Sequence, residues 1–368
     1  MPDLNLFVGL MTGTSLDGVD AVLADFPSGK PKSIAHVQHR LADDLRTTLL
    51  GLNRPGEDEL HRAAVAGQHL ARAYAAAVGD LLRAAGVEAG DVRAIGAHGQ
   101  TVRHRPEAGY TIQVNAPATL AELARIDVVA DFRSRDIAAG GQGAPLAPAF
   151  HAQAFRGADA RAVVNVGGIS NLTGLPAAGI DSPVLGFDCG PGNVLIDAWA
   201  LEHLGEPLDR DGGWAAGGRV HAGLLSALLD EPFFALAPPK STGRDLFNRD
   251  WLQRKLDGFK VDPRDVQATL TRLTAVVIGN VVEHYFAEAA DVVVCGGGAY
   301  NATLLQMLGE TCAPRRVVAS DAVGVPADQV EALAFAWLAR EFIERRAASL
   351  PAVTGARGSR LLGALYPY

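Results

Sequence analysis

Four times along this chain an apolar, strand-like run stops at a turn of glycine and small polar residues: "MTGTSLDG", "NVGGISN", "FDCGPGN" and "CGGGAYN". A glycine turn lets the backbone approach a ligand closely, and successive N–H groups in such a turn can converge on one anion. Any one of them is equally a tight hairpin, because Gly, Asn, Asp and Ser serve turns for their own conformational reasons. Four at strand ends constrain more, since the strand ends of an α/β sheet are where that architecture presents its ligands. The first two also share a plan, an apolar strand, a glycine turn with a hydroxyl and a second strand. The chain repeats its own opening.

At 368 residues the chain divides into about two domains at ~150 residues each, so two lobes with a cleft between them are expected. Apolar strand patterns at 5–10 and in "GVDAVLADF" flank the first turn. A helical pattern runs from about Glu57 to Ala85, followed by strands in "AIGAHGQTV" and "YTIQV", a helix through "PATLAELARI" and a strand in "DVVADF". Next come the polar loop "RSRDIAAGGQGAP", the strand pair around "NVGGISN", and a strand running through "FDCGPGN" into a helix near Asn193. Helical patterns follow at 218–229 and 263–288, then "DVVVCGGGAYNATLLQML" as strand, turn and helix, and a last helix with Pro326 at its first turn. The segment "PFFALAPPKSTGRDLF" reads as an irregular, mobile loop. Strands alternating with helices make the class α/β.

The formal charge of −8 lacks the basic footprint of a nucleic-acid binder, so a phosphate here would be met by local geometry. None of the turns reads GxGxxG, and "GTSLDGVD" lacks the GK[ST] ending of a P-loop, which excludes the dinucleotide and Walker readings. The amino terminus carries no targeting pattern and no window is apolar enough to span a bilayer, so no membrane is expected. Cys189, Cys295 and Cys312 are widely spaced with no CxxC pair, against both a disulfide framework and a zinc site, and a reducing cytoplasm fits best.

The turns, taken together with "GAHGQTVRHRP", "VVADFRSRDIAAGGQGAPLAPAFH", "PKSTGRDLFN" and "EALAFAWLA" in this order, resemble the anhydro-N-acetylmuramic acid kinases of the actin-like ATPase and sugar kinase superfamily. The resemblance extends from Gly9 to about Tyr366. It implies a two-lobed, ribonuclease H-like fold with duplicated mixed-sheet domains and a central cleft. The N-terminal lobe would hold residues 1–130 and a C-terminal segment of about 340–368, and the second lobe, 131–339, the nucleotide-binding turns. It further implies ATP and Mg²⁺, a small anhydro-sugar substrate and a homodimer. In the reaction, water opens the 1,6-anhydro bridge of anhydro-N-acetylmuramic acid while O6 takes the γ-phosphoryl group, giving N-acetylmuramic acid 6-phosphate in cell-wall recycling.

The residues themselves depart from the wider superfamily at one point. Many relatives begin the first hairpin with Asp-x-Gly-Thr, whereas this chain has Met11-Thr12-Gly13-Thr14, and the usual first carboxylate is absent. Asp188, at a strand end beside a phosphate-compatible turn, is then the expected general base for water, against the alternative that it only caps the following helix. Expected nucleotide contacts are Gly13, Thr14, Ser15, Leu16, Asp17, Gly18, Val19 and Asp20 in the first turn and Gly167, Gly168, Gly190, Gly192 and Asn193 in the middle turns. Gly296, Gly297, Gly298 and Asn301 would meet adenosine. Asp17 either orients a Mg²⁺-bound water or closes the hairpin, and no residue is assigned as a direct metal ligand. Gln100, Thr101, Arg133 and Glu331 are the expected sugar contacts. Arg133, with Arg135, could form a fork for a carboxylate or merely pair with Asp131 or Asp136, and Glu331 is equally a first-turn acid on a helix dipole. His98 reads as a packed turn residue, and Lys240, Ser241 and Thr242 as either a ligand cover or a surface loop. Two rivals share the phosphate features, a nucleotide-gated binding protein without catalysis and a plain hydroxyl-phosphorylating sugar kinase.

Overall fold

The computed structural model describes residues 5–13, 16 and 18–368; Thr14, Ser15 and Asp17, expected in the first phosphate turn, lie outside the described residues. The chain forms two compact units, one holding the residues up to Ala154 with Gln329–Tyr368, the other Phe155–Asp328. Residues 131–154 and 329–339 therefore pack with the first unit.

The strands of the first unit are β1 (Leu6–Met11), β2 (Gly18–Asp25), β3 (Lys32–Arg40), β4 (Val92–Ala97), β5 (Gln100–Arg105), β6 (Tyr110–Val114) and β7 (Val128–Ala130). The second unit holds β8 (Arg161–Val166), β9 (Ile169–Leu175), β10 (Leu185–Pro191), β11 (Asp291–Cys295) and β12 (Arg316–Ala319), and β13 (Ala364–Tyr366) returns to the first. Sheet order in the first unit is β13-β7-β4-β1-β2-β3, with β5 and β6 forming a separate hairpin, and in the second β10-β9-β8-β11-β12. In the first sheet β2 runs antiparallel to both β1 and β3, while β4 is parallel to β1 and β7 to β4. In the second, β9 runs antiparallel to both β8 and β10, while β11 is parallel to β8 and β12 to β11. One five-strand plan thus occurs twice, the duplicated mixed sheet that the resemblance implies, and β13 adds an antiparallel edge to the first copy.

The central strands explain themselves. β11, "DVVVC", is buried along its whole length and β1 over all but its last residue, so both read as continuous apolar runs, as a parallel strand covered on both faces should. β3, "KSIAHVQHR", was not expected from the pattern. It is a half-exposed edge strand with Lys32 and Arg40 at its two ends, and charge at an edge discourages pairing with other chains. The helix Glu59–Ala85 covers one face of the first sheet and stops at Gly86 in the left-handed conformation (φ 65°), the usual glycine helix stop. The helix Val330–Ile343 packs on the other face, against β1 and β4. In the second unit the helices Pro263–Tyr285 and Ala302–Cys312 enclose a core that includes Val164, Phe187, Leu270, Ile278 and Leu304.

Two local expectations change. The polar loop after β7 contains a short helix, Ser134–Ala138. Pro326 does not open the last helix, which begins at Val330, because Ala327 spends its backbone elsewhere: its carbonyl accepts from Gly296 N (2.8 Å) and its N–H donates to Asp321 Oδ2 (3.3 Å). Among the described residues no helix is long and apolar enough to cross a membrane. Cys189, Cys295 and Cys312 are buried and none is in a disulfide.

Candidate functional site

In the second unit two of the glycine turns are stitched together. Gly192 N and Val194 N donate to Gly168 O (2.9 and 3.1 Å), Asn193 N donates to Gly167 O (2.8 Å), and Asn193 Nδ2 reaches Val166 O (3.2 Å). The amides that open the helix Val194–Leu204 are thereby committed to the β8–β9 turn. A Cβ on Gly192 would fall 2.3 Å from Gly167 O, one on Gly296 2.3 Å from Asn165 Oδ1, and one on Gly298 2.4 Å from Val166 Cγ1. Packing alone therefore demands glycine at these three. Gly190 (φ 156°) lies against Phe234. Around Gly167, Gly168 and Gly297 the nearest atoms to a built Cβ are 3.7–3.8 Å away, leaving room for a ligand to approach the backbone. Asn301 caps the helix Ala302–Cys312 by accepting from Leu304 N (2.9 Å), while Asn165 Oδ1 is buried with no hydrogen-bond partner.

Asp188 sits on β10 opposite Asn171, at a bulge that precedes Gly190. Its carboxylate does not cap the helix after the turn. Oδ2 instead accepts from Ser241 Oγ (2.8 Å) and Thr242 N (3.0 Å), and Asp188 N donates to Lys240 O (3.2 Å). Burial pushes the Asp188 carboxyl above the usual carboxylate range, and the two hydrogen bonds from Thr242 and Ser241 oppose that rise. The segment that holds it is anchored in turn. Lys240 Nζ donates to the carbonyls of Phe233 and Phe234 (3.3 and 3.2 Å) and lies 4.8 Å over the Phe233 ring. Thr242 Oγ1 is buried without a hydrogen-bond partner.

In the first unit the β1–β2 turn is closed by Leu16 N donating to Gly13 O (3.1 Å), with Leu16 left-handed (φ 57°) and fully buried. A Cβ on Gly18 would meet His39 O at 2.6 Å, and Val19 is buried beside it on β2. Asp20 pairs with Met11, and its Oδ1 receives His36 Nε2 (3.4 Å) and Gln38 Nε2 (3.1 Å). Thr12 and Tyr74 share a buried hydrogen bond of 2.8 Å.

A second group gathers at the ends of β4, β5 and β7. Gln100 is buried, and its Oε1 has no hydrogen-bond partner; Thr101 Oγ1 accepts from Gln113 Nε2 (3.1 Å). Arg133 pairs with neither Asp131 nor Asp136. Its Nε and Nη2 both point at His98 Nε2 (3.2 and 3.0 Å) and its Nη1 donates to Gly143 O (2.8 Å). Burial brings Arg133 down to about 10, partly countered by Glu331. Arg135 is exposed. Glu331, in the first turn of the helix Val330–Ile343, keeps accessible surface, yet its carboxyl is crowded by protein and faces Asp20; both effects raise it above the usual carboxylate range, against Arg133. Two partnerships were invisible in the sequence: Ser241 and Thr242 on Asp188, 53 and 54 residues away, and His98 on Arg133, 35 residues away. The only hint was the hydroxyl pair in "PKSTG".

An unpaired buried polar atom costs about 1–3 kcal/mol. Gln100 Oε1 in the first unit and Thr242 Oγ1 in the second, the latter on the residue whose N–H holds Asp188, are each available to a bound partner.

Comparison with known proteins identifies the family. The family model described as anhydro-N-acetylmuramic acid kinase matches residues 5–368. The anhydro-N-acetylmuramic acid kinase of Albidiferax ferrireducens is 55% identical, covering 99% of this chain and 99% of the relative. That of Bordetella parapertussis is 58% identical over 98% and 96%, and that of Burkholderia thailandensis 55% identical over 100% and 98%. The chain belongs to the anhydro-N-acetylmuramic acid kinase family.

Proposed function

We propose that this kinase opens the 1,6-anhydro bridge of anhydro-N-acetylmuramic acid with water and transfers the γ-phosphoryl group of ATP to O6 in the same event, yielding N-acetylmuramic acid 6-phosphate and ADP. The observation that carries the reading is the Asp188 carboxylate, held by Ser241 Oγ and Thr242 N in the middle of β10 beside its bulge and raised by burial. A carboxylate with an elevated pKa is a better base than an exposed one, because basicity is tuned toward the pH of the reaction.

In the balanced step Asp188 accepts a proton as water oxygen bonds to C1. The C1–O6 bond breaks, its electron pair stays on O6, O6 bonds to the γ-phosphorus, and the bond to the β-phosphate oxygen breaks, releasing ADP. O6 is captured by phosphorus, so no separate acid has to protonate it. The proton on Asp188 then returns to solvent. The enzyme's part is position and electrostatics, as in phosphoryl transfer generally.

Gly167, Gly168 and Gly297 are assigned to the nucleotide because their surroundings are open, with the first hairpin around Gly13 and Asp20 also assigned to phosphate. Mg²⁺ belongs to this reading as the counter-ion of the nucleotide, neutralising phosphoryl charge. Such an ion takes one or two carboxylates with phosphate oxygens and water, and Asp20, whose hydrogen bonds to His36 and Gln38 both fall on Oδ1, is the described residue suited to hold it. For the sugar, Arg133 is assigned to the lactyl carboxylate, and Gln100, Thr101 and Glu331 to its polar groups. The substrate makes this a step in recycling cell-wall amino sugar, and the buried cysteines, none of them in a disulfide, accord with a reducing compartment.

The test is incubation with MgATP and the anhydro sugar in ¹⁸O-labelled water. Label should appear at C1 alone and phosphate at O6, with one ADP per product. Label in the phosphate, or free N-acetylmuramic acid in the product, would sink the coupled reaction.

A further inference from the structure

We infer that His98 is a positioning residue for substrate selectivity: by accepting two N–H groups of Arg133 on one ring nitrogen, it aims the guanidinium so that the enzyme prefers sugars bearing a carboxylate. The inference rests on the assignment of Arg133 to the lactyl carboxylate.

A guanidinium has five N–H donors and no acceptor. Three are engaged within the first unit: Nε–H and one Nη2–H on His98 Nε2 (3.2 and 3.0 Å), and one Nη1–H on Gly143 O (2.8 Å). One N–H on each terminal nitrogen is left, two donors for the two oxygens of a carboxylate, the arrangement that makes arginine selective for that group. His98 can serve only while Nε2 carries no proton, because two donors pointing at a third N–H would repel. The neutral ring with its proton on Nδ1 is therefore the working form.

The surroundings hold both partners to that geometry. His98 is buried at the end of β4, its N–H on Leu10 O (3.2 Å) and its ring 4.7 Å from the Phe335 ring. Gly143, the other anchor of Arg133, donates its own N–H to buried Asp136 Oδ2 (2.8 Å), and Asp136 Oδ1 accepts from Thr354 Oγ1 (2.8 Å). Arg133 is thus braced on two sides by groups that are themselves fixed. Removing the imidazole acceptor would free the guanidinium to turn without removing its charge, so the loss should fall on recognition of the carboxylate rather than on catalysis.

The experiment titrates the parent, His98→Phe, His98→Gln and Arg133→Ala with anhydro-N-acetylmuramic acid and with 1,6-anhydro-N-acetylglucosamine, which lacks the lactyl carboxylate. Phe keeps the packing on Phe335 without an acceptor; Gln offers a carbonyl oxygen at a similar reach. The parent should prefer the acid, and both Arg133→Ala and His98→Phe should lose that preference by about tenfold, the scale of one charged hydrogen bond. His98→Gln should restore part of it, and kcat of both His98 variants at saturating sugar should stay near the parental value. If Arg133→Ala loses the preference and His98→Phe keeps it, the role of His98 is wrong while the sugar assignment stands. If the parent shows no preference and Arg133→Ala changes nothing, the sugar assignment itself fails. Equal weakening toward both sugars in His98→Phe reduces His98 to a packing residue and overturns the inference. Should that variant not fold, ¹⁵N NMR of histidine-labelled parent decides: Nε2 of His98 must be unprotonated near neutral pH, and a proton found there overturns the proposal.

Discussion

Gly9 of β1 and Gly96 of β4 are register partners, and a side chain on either would strike the backbone of one helix, Val330–Ile343. A Cβ on Gly9 would stand 1.9 Å from Ala332 O, and one on Gly96 2.0 Å from Phe335 O. Paired glycines let the helix lie directly on the sheet, and that contact sets where Glu331 and Phe335 stand, the latter against the His98 ring.

Gly96→Ala should therefore destabilise the first unit. Backbone cannot yield as a flexible side chain can, so the loss should lie at the upper end of about 1–3 kcal/mol for overpacking. Urea unfolding checks it, and an unchanged midpoint would overturn the close approach of helix to sheet.

Asp188→Asn keeps the shape of the side chain and can still accept from Ser241 and Thr242, but it has no basicity. Turnover should fall by about 10²–10⁴, the usual contribution of a general base, with sugar and nucleotide affinity retained. Ring opening and phosphorylation should fall together, as product and ADP measured in one reaction will reveal. Ring opening that continues without ATP consumption would break the proposed coupling.

The pH profile follows from the same contacts. Asp188 acts as a base only when ionised, so kcat should decline as pH falls through its raised pKa. Ser241→Ala removes a donor that favours the charged form, which raises that pKa further and should move the acidic limb to higher pH. A limb that stays in place, or moves to lower pH, would separate Asp188 from the titration.

Two neighbouring glycines should answer differently. Gly297→Val places its side chain where the nearest atom to a Cβ, Asn193 Nδ2, is 3.8 Å away, so the fold should survive while nucleotide binding is blocked. Gly298→Val drives a Cβ to 2.4 Å from Val166 Cγ1 and should cost stability first. Thermal unfolding beside nucleotide titration distinguishes the two, and a Gly297→Val protein that binds ATP like the parent removes the adenosine assignment.

Strand and helix alternation, the four glycine turns and the repeated opening were legible in the sequence because they are local: each depends on residues within one turn or one side-chain period. Position beside a turn also marked Asp188, the arginine pair in "DFRSRD" marked Arg133, and Glu331 was a candidate through the family resemblance alone. The edge strand β3 escaped because its polar alternation reflects exposure at a sheet edge, and which strand lies at an edge is decided by the order of the whole sheet. Whether a turn glycine is needed for packing, as at Gly192 and Gly298, or leaves open space, as at Gly167 and Gly297, depends on what another segment places opposite it. The Ser241–Thr242 grip on Asp188 and the His98 acceptor for Arg133 join segments 53, 54 and 35 residues apart. Only tertiary structure decides them, because hydrogen bonding requires donor and acceptor within about 3 Å, and spacing along a chain does not fix distances once the intervening backbone has folded through strands and turns.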